Sequence, residues 1–176
     1  MKKLKKVWIL ALLAAGFAMV LGCSNGSSDN NTDEPPATPE PDGVVDIDGE
    51  KYYRVTPDGY NTSFAITEVD LSGKTTIKCI VFGKEENADA QAVVQLLDAD
   101  WNGIVPTLKP IAAAPTEVKA EVGEVKKAVR IQPFTQSTSD WSALNNVTIY
   151  IGKITAEDAS GNSIVVFDPA KYNGAE

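Results

Sequence analysis

Short runs in which apolar and polar residues alternate recur from residue 43 to the C-terminus. The runs are rich in Val, Ile, Thr and aromatic residues, and turn residues such as Asp48-Gly49 and Ser72-Gly73 separate most of them. A helix over 87–97, where Ala and Gln are frequent, is the main alternative, but 92–97 is better described as a strand that enters a loop. Nine strands are predicted, at Val44–Ile47, Lys51–Val55, Thr62–Ile66, Thr75–Phe82, Ala92–Leu97, Glu117–Val122, Ala128–Phe134, Val147–Thr155 and Ser163–Phe167. The pattern predicts an all-β fold, an antiparallel β-sandwich of about eight or nine strands.

One of these strands changes phase along its length. Val147, Ile149 and Ile151 share one face, whereas Ile154 falls on the opposite face. A β-bulge at Gly152-Lys153 would return Ile154 to the core, and glycine suits such a position.

The first 42 residues lack the strand pattern. Four of the first six residues are lysine, and Val7–Gly22 is an uncharged apolar run of 16 residues. This run is short for a membrane-spanning helix, which needs about 20 residues, and it is typical of a signal peptide; an uncleaved single-pass anchor is the alternative. Residues 24–42 contain no Val, Ile, Leu or aromatic residue, so we expect a disordered tether. The chain is therefore predicted to comprise a signal peptide (1–22), Cys23 with the tether (23–42) and a β-sandwich domain (43–176).

The segment Val20-Leu21-Gly22-Cys23 resembles the lipobox of bacterial lipoproteins. In that family the cysteine thiol receives a diacylglyceryl group and the signal peptidase cleaves just before it. The resemblance implies that Cys23 is lipidated and that its acyl chains bind the lipid bilayer. We expect an exported protein, anchored in the outer membrane or at the cell surface of a Gram-negative host, or on the outer face of a Gram-positive plasma membrane.

Composition narrows the chemistry that the chain can perform. It has 16 Lys+Arg, 24 Asp+Glu and no His, and its formal net charge is −8. Removal of residues 1–22 takes away four lysines and no acid, which leaves 16 − 4 = 12 basic residues and a charge of 12 − 24 = −12. Such acidity argues against nucleic acid as a partner. The absence of histidine excludes Ser-His-Asp and Cys-His nucleophile systems and His-ligated metals.

Cys79 is the only cysteine besides Cys23, so no intrachain disulfide is expected. By alternation Cys79 shares a face with Ile77 and Val81, which predicts a buried thiol that acts as a small hydrophobic group.

Four strand-like segments and one tryptophan occur in a characteristic order along the chain, at Thr62–Ile66, Thr75–Phe82, Ala128–Phe134, Trp141 and Val147–Ile154. This order resembles the jelly-roll sandwich of carbohydrate-binding modules and their galactose-binding-like relatives, over about residues 60–157. The resemblance implies a jelly-roll-like sandwich and sugar binding by aromatic and polar side chains on a sheet face or at loop tips. Its motifs are mostly core patterning, so they support the fold more than the function.

Five residues are candidates for carbohydrate contacts. Trp101 and Trp141 lie among polar residues, and an indole face suits the apolar face of a sugar ring. Arg130 and Gln132 point away from the core side of their strand, as does Tyr150 on a later strand, so the three would line one sheet face if these strands are neighbours. The alternatives are that each tryptophan folds back over an end of the sandwich and that the sheet face is merely solvated.

The segment 98–103 matches the first half of an EF-hand calcium loop. Asp98, Asp100 and Asn102 supply oxygen atoms at positions 1, 3 and 5, and Gly103 follows at position 6. Position 12 is Lys109 where a glutamate is needed, so the segment is not an EF-hand. Jelly-roll modules often carry a structural Ca²⁺, and a calcium loop is therefore one interpretation; a polar turn with Asx hydrogen bonds is the other.

Three classes of function follow from these features. The leading hypothesis is a membrane-anchored, non-catalytic surface module that binds carbohydrate. The second is a structural or adhesion lipoprotein that binds a protein partner through an edge strand or an apolar patch. The third is a glycan hydrolase, for which Glu85-Glu86, Asp98 with Asp100, and Glu157-Asp158 are the available carboxylate pairs.

Overall fold

The computed structural model describes residues 40–174, so the predicted signal peptide, Cys23 and most of the tether lie outside the described residues. Within that range, no helix is both long and apolar enough to cross a membrane. The described elements are β1 (Gly43–Ile47), β2 (Glu50–Val55), β3 (Phe64–Asp70), β4 (Lys74–Gly83), β5 (Asn87–Leu97), β6 (Gly103–Ile104), β7 (Pro110–Ile111), β8 (Thr116–Glu121), β9 (Lys127–Ser137), β10 (Ala143–Leu144), β11 (Ile149–Asp158), β12 (Ser163–Phe167) and the 3₁₀ helix η1 (Pro169–Lys171).

The strands form two antiparallel sheets. The first sheet has the order β1-β2-β11-β4-β8, with β12 also paired to β11. The second sheet has the order β10-β9-β5-β6, with β3 also paired to β9 and β7 to β5. If β2, β3, β4, β5, β7, β8, β9 and β11 are counted as strands one to eight, the sheets read 1-8-3-6 and 2-7-4-5, the order of a jelly roll. The predicted all-β, jelly-roll-like sandwich is thus confirmed.

Strand alternation fills the space between the two sheets. On β5 the even-numbered residues from Ala90 to Leu96 belong to the core, and on β9 Ile131 does so. From the first sheet Ile77, Cys79 and Val81 meet them. Because successive side chains point to opposite faces, the odd-numbered residues of β5 lie on the face of the second sheet that points away from this core, where Gln91, Val93 and Leu97 are still buried.

Most strands follow the pattern in the sequence. The nine strands of five or more residues correspond to the nine predicted ones, and β12 has the predicted limits. The rejected helix over 87–97 is strand β5. β3 begins and ends later than predicted, and the two-residue strands β6, β7 and β10 were not predicted, because two paired residues leave no periodic signal.

The predicted bulge in β11 is confirmed. The register between β11 and β4 shifts between Ile151 and Ile154, and Ile154 is fully buried. Gly152 has no room for a side chain, since a Cβ atom there would lie 2.9 Å from Cβ of Ile80. The bulge therefore keeps both halves of a ten-residue strand in the core.

Cys79 is a buried core residue, as predicted. Burial raises the pKa of its thiol to about 12. The thiol therefore stays protonated at neutral pH and is not a nucleophile in the folded domain.

The chain enters the domain along the first sheet. The Arg54 side chain on β2 donates to the Glu40 carboxylate and the Pro41 carbonyl, and the Thr56 amide donates to Asp42 Oδ1 at 2.9 Å. Arg54 points outward because its neighbour Val55 is in the core. Residues 40–42 consequently lie on the side of the sandwich opposite the outer face of the second sheet.

Candidate functional site

The outer face of the second sheet carries a regular set of polar side chains. On its central strands β5 and β9, directly opposed residues share a face. The outward pairs are Leu97 with Arg130, Gln95 with Gln132, Val93 with Phe134, and Gln91 with Gln136. We call this set of eight residues the glutamine face.

The amide groups of the glutamine face differ in exposure, and Gln91 and Gln136 are each only 6% exposed. Gln132 Nε2 donates to the Tyr60 carbonyl at 2.7 Å, whereas residues 40–174 offer no hydrogen-bond partner to the side-chain amides of Gln91, Gln95 and Gln136. Within residues 40–174, Nε of Arg54 is the only side-chain nitrogen or oxygen atom that is both shielded from solvent and without a hydrogen-bond partner. The unpartnered amide atoms of these three glutamines therefore retain some contact with solvent. An amide both donates and accepts hydrogen bonds, which suits hydroxyl groups.

Gly103 determines where the Gln95 amide lies. A Cβ atom at residue 103 would lie 1.8 Å from Nε2 of Gln95. The side chain of Gln95 therefore lies across the backbone of β6, and any residue larger than glycine at position 103 would displace this side chain.

Trp101 stands at one end of the glutamine face. Its side chain is 56% exposed, and the guanidinium carbon of Arg130 lies 4.8 Å from the centre of its ring. This is a cation–π arrangement on one face of the indole. Its backbone is left-handed, with φ of +66°. The tryptophan does not cover an end of the sandwich, and the structure brings together the two predicted residues Trp101 and Arg130.

Trp141 lies in the loop that follows β9. It is 58% exposed and is also left-handed, with φ of +62°. Its loop is closed by Ser142, whose N–H and Oγ donate to Asp140 Oδ1 at 3.1 and 2.7 Å. The Tyr60 hydroxyl donates to the Trp141 carbonyl at 3.4 Å, and the Tyr60 ring meets Phe134 edge-on at 4.9 Å. Tyr60 therefore links the Trp141 loop to the glutamine face.

The length of the face follows from strand geometry. Arg130 and Gln136 are six residues apart on β9, or about 20 Å at about 3.3 Å per residue. The eight residues therefore extend about 20 Å along β9, and five of them are at most 8% exposed, namely Gln91, Val93, Leu97, Phe134 and Gln136.

Tyr150 does not join this surface. It lies on β11 of the first sheet, opposite Phe82 and Arg54, and its ring stacks on Phe82 at 5.0 Å. The expectation that Arg130, Gln132 and Tyr150 line one sheet face is therefore wrong, since their strands belong to different sheets.

The Asp98 segment forms a hydrogen-bonded turn. Asp98 Oδ1 accepts from the amides of Asp100 and Asn102 at 2.9 and 2.8 Å, and Oδ2 accepts from Asn102 Nδ2 at 2.9 Å. These bonds, first of all that from the Asn102 side chain, lower the pKa of Asp98. Between residues 40 and 174 no three acidic, His or Cys side chains are grouped to hold a metal ion. The geometry thus fits the Asx-turn interpretation, and a calcium ion would compete with the turn for both Asp98 oxygens.

Tyr60 and three glutamines of this site were not predicted. Alternation in 90–97 could have placed Gln91 and Gln95 outward, because Ala92 and Val94 point inward. Pairing with Gln132 and Gln136, and the approach of Tyr60, depend on contacts between distant parts of the chain that the sequence pattern does not carry.

Comparison with protein-family models and with curated proteins finds no match for this sequence.

The stability of the domain is expected to be independent of pH near neutrality and to fall in the acid range. Hydrogen bonds in turns lower the pKa of Asp98, Asp140 and Asp158. A lowered folded-state pKa stabilises the protein above the unfolded pKa, and this contribution is lost as pH falls. With no histidine in the chain, we expect a constant urea midpoint between about pH 5.5 and 8 and a decrease below about pH 4. Measurements at constant ionic strength test this, and a change of midpoint between pH 6 and 8 would contradict it.

Proposed function

We propose that this chain is an exported, lipid-anchored module that binds carbohydrate without catalysis, through the glutamine face, Trp101 and Trp141. One observation carries the proposal. Both tryptophans of the described domain are more than half exposed in left-handed backbone conformations, beside a sheet face with four amide side chains.

The chemistry of these groups matches that of a glycan. An indole ring packs on the apolar face of a sugar ring, while glutamine amides exchange hydrogen bonds with its hydroxyls. A bulky residue at positive φ is energetically costly, and such positions cluster at binding sites. Two exposed tryptophans that both bear this cost support a role in binding.

The non-catalytic assignment rests on the composition of the face. None of its eight residues is acidic, whereas glycosidases use two carboxylates that flank the scissile bond. The one charged side chain is Arg130, whose guanidinium donates hydrogen bonds and accepts none.

Residues 40–42 lie along the first sheet, on the side of the domain opposite the glutamine face. For the anchor itself, we expect Cys23→Ala to move the protein from the membrane fraction to the soluble fraction, with Cys79→Ala as the matched cysteine control. Equal membrane association of both variants would contradict lipidation at Cys23.

Binding is tested with the full-length protein, expressed with its own leader and solubilised in mild detergent. Immobilised xylan, mixed-linkage β-glucan, galactomannan and starch serve as probes, together with a broad glycan array, with Ca²⁺ or with chelator. Saturable retention on any probe is expected; retention lost in chelator would show a metal requirement. No retention of folded protein would refute the carbohydrate proposal.

A protein-binding lipoprotein is the second candidate, and one strand favours it. Within residues 40–174, β12 pairs with β11 alone, carries no charged residue and leaves Val165 about half exposed. Uncharged edge strands are sites at which another chain can add a strand. Crosslinking on intact cells, with Val165→Lys as the blocking variant, distinguishes this function from glycan binding.

A further inference from the structure

Two turns in the domain share one hydrogen-bond pattern. Asp98–Asn102 connects β5 to β6, and Asp158–Asn162 connects β11 to β12. In both, the N–H of the aspartate donates to the asparagine carbonyl, at 3.0 and 3.1 Å, and the fourth residue donates to the aspartate carbonyl, at 3.3 and 3.0 Å. In both, the aspartate carboxylate accepts from the third residue's amide and from the backbone and side chain of the asparagine.

The turns differ in their third residue, which is Asp100 in one and Ser160 in the other, and in their fourth. Gly161 occupies this position in the second turn, with φ of +83°, as expected where the backbone is left-handed. Trp101 occupies it in the first turn, with φ of +66°. In the second turn glycine adopts this backbone geometry without strain. In the first turn tryptophan occupies the same position and bears the backbone strain.

The indole is also oriented from the sheet. Arg130 on β9 covers one face of the Trp101 ring, and the ring remains 56% exposed. The Asp98 carboxylate fixes the backbone of the turn, and the guanidinium of Arg130, a residue of the glutamine face, packs on the ring. One face of the indole is therefore held open toward solvent.

We propose that the Asp98–Asn102 turn is a positioning device for glycan binding, in which Asp98 and Arg130 hold Trp101 in a strained, projecting orientation. This inference rests on the proposed function and assigns Asp98 as a positioning residue. The turn stores backbone strain that the equivalent turn at Asp158 avoids.

Stored strain is tested by thermal unfolding of full-length variants in detergent. Trp101→Gly and Trp101→Ala both remove the indole, so their difference reports the backbone alone. We expect Trp101→Gly to melt about 3 °C above Trp101→Ala, and Gly161→Ala to melt below the wild type by a similar amount. Equal melting temperatures of the two Trp101 variants would overturn the assignment of strain.

Positioning is tested with matched aspartate variants. Asp98→Ala and Asp158→Ala remove the same hydrogen bonds from equivalent turns, so each lowers the melting temperature. Only Asp98→Ala is expected to weaken retention on the four immobilised polysaccharides, by about tenfold. It is also expected to reduce the near-ultraviolet circular dichroism of Trp101. Asp98→Asn keeps an acceptor oxygen, so it should restore part of the retention and part of the circular dichroism. Equal effects of the two alanine variants on either signal would overturn the proposal. If the wild type is retained by no probe, the proposed function fails, while the circular dichroism and melting temperatures still decide whether the turn positions Trp101.

Discussion

Replacement of Trp101 and Trp141 together by alanine is expected to abolish retention on carbohydrate while the domain stays folded. Each indole is more than half exposed and contributes little to the core, so the loss falls on binding rather than on stability. An aromatic residue that dominates a binding site contributes about 2 kcal/mol, so each single variant should weaken binding by about thirtyfold. Titration of full-length variants on the retaining polysaccharide measures this.

The matched control uses an aromatic residue of the other sheet. Tyr150→Ala removes a ring of the first sheet that stacks on Phe82, so it should lower stability and leave retention unchanged. Retention that survives in the double tryptophan variant would place the carbohydrate site elsewhere. Loss of retention in Tyr150→Ala at a temperature where that variant is folded would do the same.

The largest effect on stability is expected at the bulge of β11. Ile154 is fully buried between the sheets, and Ile154→Ala leaves a cavity that neighbouring strands cannot close. We expect the free energy of unfolding to fall by about 3 kcal/mol. Urea unfolding measures the change, and labelling of the Cys79 thiol provides a second reading, because this thiol becomes accessible only when the sheets separate.

A half-buried isoleucine provides the comparison. Ile164 on β12 packs against the rim of the core, so Ile164→Ala should cost clearly less than Ile154→Ala. Equal losses in the two variants would mean that the bulge does not direct Ile154 into the core.

The strands, the bulge and the buried thiol were accessible from sequence because each depends on local geometry. Alternation with a period of two assigns a side chain to one face of its own strand, and a phase change with glycine beside it marks a bulge. Asp48-Gly49 likewise predicted the turn between β1 and β2, where both residues adopt positive φ. The outward direction of Gln132 and Arg130 was correct for the same reason.

Alternation does not say which strand lies next to which. Arg130 and Tyr150 both point outward, yet the jelly-roll order separates β9 and β11 into different sheets. The glutamine face exists only because β5 and β9 pair in one register, and a shift of one residue would place core residues opposite outward ones. That register is set by long-range packing.

By itself, the sequence determined that the strands between residues 43 and 167 form a β-sandwich, and it predicted a leader and tether before it. Its local periodicity and turn chemistry carry this information. Only the tertiary structure decided that four glutamines meet on one face, that Tyr60 joins Trp141 to it, and that Trp101 stands where the equivalent turn has glycine. These relations join residues far apart in the chain, and they arise from the pairing of strands and the packing of sheets rather than from any local pattern.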